Sequence, residues 1–466
     1  MKTPKMTGMN PELKTIKEAG REIPVAGHAD VMVCGGGPAG IGAALAAART
    51  GAKVRVIEVN GCLGGVWTAG QLAWLFEMDQ PGITREITRK LDARGARTNV
   101  CTHSTDKYAY DIEAMKLLLE EMLAEAGVEF HLHSRVVAPV REGRELKAVI
   151  TESKSGREAW TATHFIDASG DGDLAALSGC GFDMGKPESG ALQPFTFMAM
   201  VTAKNVEALN PFVVFSGGFV HDGFSGPTQR FREEIQSAGE DPSYRAATLF
   251  HIRGNLMGLM INHEYGVSPV NERDVTRATV RGRAEVNRVV EALKKKGGIW
   301  EGFQIVSTPD QIGTREGRRI HGCYTVTQED LFHDARHEDA VCRVTYWIDV
   351  HSTDPKKGKG FEAPPTKAGS SGADSKEPPA PEELSYDIPL RALMSKDVDN
   401  LMMAGRCISG DFLAHSSYRV TGVAVALGQA AGAASALAAQ QGIRVARLPF
   451  PILKQTLEKL RTSSQP

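Results

Sequence analysis

The chain has 466 residues, 42% hydrophobic and 24% charged, with a formal net charge of −2. That length suggests two or three domains, and the balanced charge leaves no global basic field for a phosphate backbone, which disfavours nucleic acid as a partner. Seven cysteines (Cys34, Cys62, Cys101, Cys180, Cys323, Cys342 and Cys407) are scattered and never spaced Cys-x-x-Cys, which suits a reducing cytoplasm and argues against a dithiol or iron–sulfur centre.

In chain order, residues 1–28 mix Lys, Glu and Pro without an apolar core and read as a mobile arm, neither signal peptide nor membrane anchor. Asp30 to Gly40 then runs from a β-branched strand into Gly35-x-Gly37-x-x-Gly40, with Pro38 and Ala39 opening an Ala-rich helix that ends near Gly51. In such a turn the first glycine allows the tight bend, the second lets backbone approach a pyrophosphate, and the third lets helix pack on strand. A strand over 53–59 carries Glu58 near its end, with Val59 after it; an acid about twenty residues beyond the glycines is placed to accept the ribose hydroxyls of an adenine dinucleotide. A second glycine cluster follows at 61–70. Its Gly64-Gly65 step, with Val66, Trp67 and Thr68, would let backbone wrap a larger dinucleotide, which points to FAD rather than NAD. Cys62 in this loop reads as a small buried residue.

Apolar residues at helical spacing predict a helix over 111–126, followed by a strand over 128–132. Residues 135–163 alternate with turns at Glu142-Gly143 and Ser155-Gly156, a small meander leading to a strand at Phe165. These segments make 29–189 the first part of a Rossmann-like dinucleotide domain, a parallel sheet with a β-meander. Residues 190–350, with a strand over 195–201 and a helix over 272–296, read as an interleaved α+β substrate domain. The basic face of that helix (Arg273, Arg277, Arg281, Arg288 and Lys294 to Lys296) reads as solvated surface. Residues 351–384 are a Pro-, Gly-, Ser- and Lys-rich flexible loop, an insertion in preference to a lid. Residues 385–445 return to the dinucleotide domain, and 446–466 form a terminal helix and tail. Within that return, 420–443 holds no charge and is long enough to span a bilayer. Its Ala, Gly, Ser and Gln content suits a helix packed inside a protein, so no membrane span is predicted.

With these motifs in order the chain resembles the FAD-dependent oxidoreductases of the glutathione-reductase-like superfamily. Phe165 to Asp173, containing Ala168, Ser169, Gly170 and Asp171, resembles the strand and turn that return to the cofactor. Asn400 to Arg406, with Gly405, resembles the late strand ending beside the ribityl chain. Ser417 to Gly422, with Val420 and Thr421, resembles the segment whose helix N-terminus faces the flavin pyrimidine. Gln311 to Gly322 is similar to a signature of a bacterial subgroup simply called FAD-dependent oxidoreductases. The resemblance spans about residues 30–442 and implies a non-covalent FAD, since the His that succinate-dehydrogenase relatives carry after the glycine pair is absent from Val66-Trp67-Thr68. It also implies that Val136 and Val137 lie against the adenine.

Oxidation of a C–H beside OH or NH needs a proton acceptor, for which histidine is suited. His351, after a predicted strand over 343–350, and His415, just before Arg419, are the candidate bases. Arg419, ahead of the Val420 helix, either stabilises charge at the flavin pyrimidine or, as the resemblance to the fumarate-reductase branch implies, binds a substrate carboxylate. Tyr346, Tyr386 and Arg391 are secondary pocket candidates. The pairs His131/His133 and His333/His337 have ligand-compatible spacing but no third ligand nearby, so no metal is expected. No second Gly-x-Gly-x-x-Gly follows a strand, so electrons are expected to come from a small organic substrate and leave to oxygen, a quinone or a carrier protein. The alternatives are a fumarate-reductase-like reductase of an activated alkene and a non-catalytic electron-transfer flavoprotein. A homo-oligomer is compatible with all three.

Overall fold

The structure, a computed structural model, describes residues 16–99, 108–214, 224–356, 359–362 and 384–462. Cys101, most of the predicted loop, the first fifteen residues of the predicted arm and the last four of the predicted tail lie outside the described residues.

The main sheet runs in the order Glu129–His131, Val54–Ile57, Val25–Cys34, Gly156–Asp167, Glu145–Ser153, Arg135–Glu142. Val31, Met32 and Val33 are completely buried, as expected of a strand covered on both faces by crossover connections. The long strand Gly156–Asp167 serves two partners in turn. Its first half pairs antiparallel with Glu145–Ser153 and closes the meander, while Phe165–Asp167 pairs in parallel with Leu401–Met403. The strand expected at Phe165 is therefore the end of a meander strand and not a separate element. Cys34, Ile57, His131, Asp167 and Met403 end parallel strands at one edge, and strand order reverses about Val25–Cys34, the place where open α/β sheets bind ligands.

The sequence pattern puts the start of the first strand at Asp30, but the strand begins at Val25, because Val25 to Ala29 pair with Ala159 to Ala162 along the overlong meander strand. The expected arm of 1–28 thus ends in sheet. The strand expected over 195–201 is Met198–Thr202, and the one expected over 343–350 stops at Val344, where its partner Tyr386–Pro389 begins. A three-stranded sheet of Trp74–Leu75, Arg97–Asn99 and Tyr108–Tyr110 had no signal in the sequence, since its strands are two or three residues long.

The helices Pro38–Arg49 and Thr421–Gln441 pack backbone against backbone. A Cβ on Gly428 would lie 1.9 Å from the Ala39 carbonyl oxygen, and one on Gly432 would lie 2.1 Å from that of Ala43. The glycines are what allow the approach. Thr421–Gln441 is long and apolar enough to cross a membrane by length and composition, and 89% of its most apolar window is buried inside the protein.

A second core lies between the four-stranded antiparallel sheet Thr248–Arg253, Leu256–Met260, Met198–Thr202, Gln304–Ser307 and the helix Glu272–Lys296. That helix buries Ala278, Val286, Val289, Val290 and Leu293, while Arg273, Arg277, Arg281 and Arg288 are at least half exposed and pair with nearby acids.

Candidate functional site

The carboxyl ends of the parallel strands open onto a cavity of about 660 Å³ that continues to the second core. At its sheet end, Gly35 takes φ +110°, and a Cβ there would lie 2.4 Å from the Ala168 carbonyl oxygen, so the first turn can lie against the 168–170 turn only as glycine. Helix Pro38–Arg49 starts with Pro at its first position and no side-chain cap, leaving first-turn N–H groups beside the cavity-lining Gly37, Pro38 and Ala39. Glu58, buried, accepts from the N–H of Gly36 (2.6 Å) and from the N–H and side-chain amide of Asn60 (2.8 and 2.7 Å). Val59 and Val136 line the cavity near it.

Gly65, at φ +51°, brings the second glycine loop to the first; a Cβ there would lie 3.1 Å from the Gly37 Cα. The 168–175 turn is folded around Asp167, which accepts from Ser169 N–H and Oγ (3.0 and 2.6 Å) and Ala175 N–H (2.8 Å). Burial pushes the Asp167 carboxyl up to about 6 despite these bonds. Arg406 reaches across to Asp171 Oδ1 (2.7 Å) and Thr314 Oγ1 (3.0 Å). Farther along, helix Thr421–Gln441 also begins without a side-chain cap, with Val420 and Thr421 on the cavity wall.

Two uncapped helix N-termini and a buried carboxylate between glycine-lined turns match what FAD demands: donors for a pyrophosphate, an acceptor for ribose hydroxyls and a positive helix end for the pyrimidine edge. The residues present fit that group.

Of the candidates named from sequence, Gly35, Gly37, Pro38, Ala39, Glu58, Val59, Gly65, Val66, Ala168, Ser169, Gly170, Gly405, Arg406, Val420, Thr421, His351 and Arg419 line the cavity. Others support it from behind. Gly40 packs on the Gly35 carbonyl, 1.8 Å from where a Cβ would stand, and Gly64 turns the second loop at φ +103°. Thr68 Oγ1 donates to the Leu63 carbonyl (2.5 Å), and the buried Trp67 accepts from the Tyr110 hydroxyl through its carbonyl (2.6 Å). Asp171 pairs with Arg406, and Val137 follows the wall residue Val136 in its strand. His415 is completely buried away from the cavity wall with no hydrogen bond at either ring nitrogen, and burial holds it well below the usual histidine range. Tyr386 is buried and donates to Ser417 Oγ (3.0 Å), Arg391 pairs with Asp339 on the outside, and Tyr346 lines the cavity.

The far end of the cavity holds a compact charged cluster. Arg419 Nη2 donates to the Asp349 carbonyl (2.7 Å) and to Asp349 Oδ2 (3.1 Å); His351 Nε2 stands 3.3 Å from Asp349 Oδ1, while its Nδ1 has no partner. The His351 N–H donates to Gln193 Oε1 (2.9 Å), and its ring packs against Phe361 (4.8 Å) and His263 (5.0 Å). Burial, then Arg315, pushes His351 down to about 4. Burial alone would raise the Asp349 carboxyl; the cations beside it hold it ionised, at about 2.

The sequence shows Arg315 only as part of a signature, and the structure makes it a wall of this end. Its Nη1 donates to the Pro194 carbonyl (2.8 Å) and Thr196 Oγ1 (2.6 Å), and no carboxylate pairs with it among the described residues. Burial, then Arg419, lowers its pKa to about 10, so it stays charged at neutral pH.

His131 ends its strand, its ring tilted against that of Trp160 (4.7 Å), whereas His133 takes φ +51° under Gly61, so the two do not share a strand face. His333 is exposed and His337 sits 3.9 Å from Asp330. Among the described residues no group of three or more His, Cys, Asp or Glu is placed to hold a metal ion. Cys62 is half-buried, its Sγ 3.5 Å from Thr68 Oγ1.

A family model described as FAD dependent oxidoreductase matches residues 30–457. No curated protein sequence matches the chain. Similar solved structures include a geranylgeranyl bacteriochlorophyll reductase-like protein from Thermoplasma acidophilum, 13% identical over 94% of this chain and 83% of that one, with a TM-score of 0.45. They also include an anhydrotetracycline hydroxylase from Streptomyces rimosus (14%, 94% and 66%, TM-score 0.43) and a p-nitrophenol 4-monooxygenase from Pseudomonas putida (14%, 64% and 70%, TM-score 0.38).

Proposed function

The chain belongs to the FAD-dependent oxidoreductase family, and from that premise we propose that it oxidises a small organic substrate at a carbon bearing OH or NH, with His351 as the base. The single observation that carries this reading is the state of His351: it lines the cavity, is neutral above about pH 4, and leaves Nδ1 without a partner. When bound, FAD supplies the acceptor for the substrate's hydride, so the substrate loses two electrons and one proton remains to be removed. The Gly35 to Gly40 turn, Glu58, Gly65, Ser169, Arg406 and the start of helix Thr421–Gln441 would hold the cofactor. His351 takes the proton from the heteroatom. Asp349 orients the ring, and Arg419, clamped on Asp349 by two hydrogen bonds, keeps that carboxylate ionised and in place. The uncapped start of helix Thr421–Gln441 would favour negative charge on a group bound beside it.

The same observation weighs against reduction of an activated alkene, because an imidazole that is neutral at pH 7 holds no ready proton to deliver to a carbanion. Anaerobic mixing of the FAD-loaded enzyme with alcohols, hydroxy acids and amines is expected to bleach the flavin absorbance with one of these classes. His351→Gln should slow that bleaching by about 10²–10⁴-fold at unchanged FAD content, and His415→Leu should not slow it. An enzyme that no donor bleaches, yet that enoates reoxidise after dithionite reduction, would reverse the assigned direction.

A further inference from the structure

We infer that the substrate is an organic monoanion with an aromatic body, its carboxylate seated on the Nε–Nη2 edge of Arg315 and its ring on the wall of Trp74, Phe76, Tyr346, Trp347 and Phe361. The inference deepens the reading of this cavity as a substrate site and rests on it.

Arg315 is fixed on one side only. The Pro194 carbonyl and Thr196 Oγ1 hold Nη1, while Nε and Nη2 have no hydrogen-bond partner among the described residues. A guanidinium at the wall of a largely apolar cavity normally finds a carboxylate, and the planar pair of N–H groups left over is the geometry that binds one through two parallel bonds. Arg419 does not fill this role, since it is already committed to Asp349. Charge selects the ligand further. Arg315 and Arg419 carry two positive charges against one on Asp349, and the nearby His351 and His263 are held neutral. The surplus is +1, which a carboxylate neutralises and a phosphate dianion overshoots.

The body of the ligand follows from the other wall. Ring centroids are 5.1 Å apart from Trp74 to Phe76, 5.7 Å from Phe76 to Tyr346, 5.7 Å from Tyr346 to Trp347 and 5.7 Å from Trp347 to Phe361. All five side chains line the cavity, with Tyr244 linking Phe361 back to the Arg315 end. A continuous row of rings beside one unpaired guanidinium suits a flat apolar group with an acid at one end.

The test is ligand binding to the FAD-loaded protein, read as the flavin difference spectrum and by calorimetry, with benzoate, benzamide, acetate and inorganic phosphate as probes. Benzoate is expected to bind at least about tenfold more tightly than each of the other three. Arg315→Gln should weaken benzoate about tenfold or more and leave benzamide unchanged, with Arg315→Lys intermediate because it keeps the charge and loses the fork. Benzamide or phosphate binding as tightly as benzoate overturns the carboxylate assignment, and acetate doing so overturns the aromatic wall. Loss of FAD from folded Arg315→Gln would assign the arginine to the cofactor and also overturn it. If a variant fails to fold by circular dichroism, the four-probe comparison on the unmodified protein still decides. Benzoate binding without turnover of any donor would leave this inference standing and remove the proposed oxidation instead.

Discussion

Replacing Gly37 by alanine separates what the glycine turn does for the fold from what it does for the cofactor. Gly37 has φ −73° and ψ −173°, a conformation any residue adopts, and a Cβ built there meets nothing within 4 Å. The apoprotein should therefore accept Gly37→Ala and gain about 0.4–1 kcal/mol through the smaller entropy of the unfolded chain. If the Gly35 to Gly40 turn holds the cofactor as proposed, the open space beside Gly37 is the path by which a pyrophosphate would reach the first N–H groups of helix Pro38–Arg49. A methyl group there holds the phosphate away from at least one or two charge-assisted hydrogen bonds worth about 1.5–3 kcal/mol each. The loss of about 3 kcal/mol corresponds to a Kd for FAD raised by roughly 100-fold.

Gly428→Ala is the matching control on the other helix. Its Cβ would meet the Ala39 carbonyl oxygen at 1.9 Å, the Ala39 carbonyl carbon at 2.8 Å and the Ala43 nitrogen at 3.0 Å, all backbone atoms that no rotamer change can remove. Overpacking of this kind costs at least about 1–3 kcal/mol, so the apoprotein itself should melt several degrees lower, at roughly 2–4 °C per kcal/mol. Thermal unfolding of both apoproteins and FAD titration by flavin fluorescence give the two readouts. The reasoning is refuted if Gly37→Ala destabilises the apoprotein as Gly428→Ala does, or if it binds FAD as tightly as the unmodified chain.

Glu58→Gln should raise the Kd for FAD about tenfold, because one of the two carboxylate oxygens that accept from Gly36 and Asn60 becomes a donor facing donors; an unchanged Kd would show that this carboxylate does not meet the ribose. Acid should destabilise the protein through its buried histidines. His164 and His351 have native pKa values near 4 against 6.5 in the unfolded chain, chiefly through burial. Between those values only the unfolded chain takes up the proton, so stability falls as pH drops from 6.5 to 4, by about 3 kcal/mol per histidine. Asp167, raised from 3.8 to about 6, acts in the opposite sense over nearly the same window and returns about 3 kcal/mol. His263 and His415, which burial also holds well below 6.5, add to the loss, so the net expectation is a fall in stability toward acid, and urea midpoints that match at pH 7 and pH 4.5 would contradict it.

The cofactor half of the site was legible in the sequence because its determinants are local. Gly35 to Gly40, Glu58 and the Asp167 to Asp171 turn are each a short motif at the carboxyl end of a strand of the main sheet, so each can be recognised without knowing the strand order. The substrate half was not. Arg315, Asp349, His351 and Arg419 come from three distant segments, and only folding decides which charges are paired. In the sequence Arg319 looks as available as Arg315, yet Arg319 donates to Glu316 and to the carbonyls of Gly185 and Gly410, which spends its fork inside the protein. His415 and His351 present the same ambiguity, one sealed in the core and the other on the cavity wall. A residue's chemistry at a site is therefore set by the donors and acceptors its neighbours leave unused. Motif position counts for less: Arg315 and Arg319 share one motif, and only Arg315 has an edge left for a ligand.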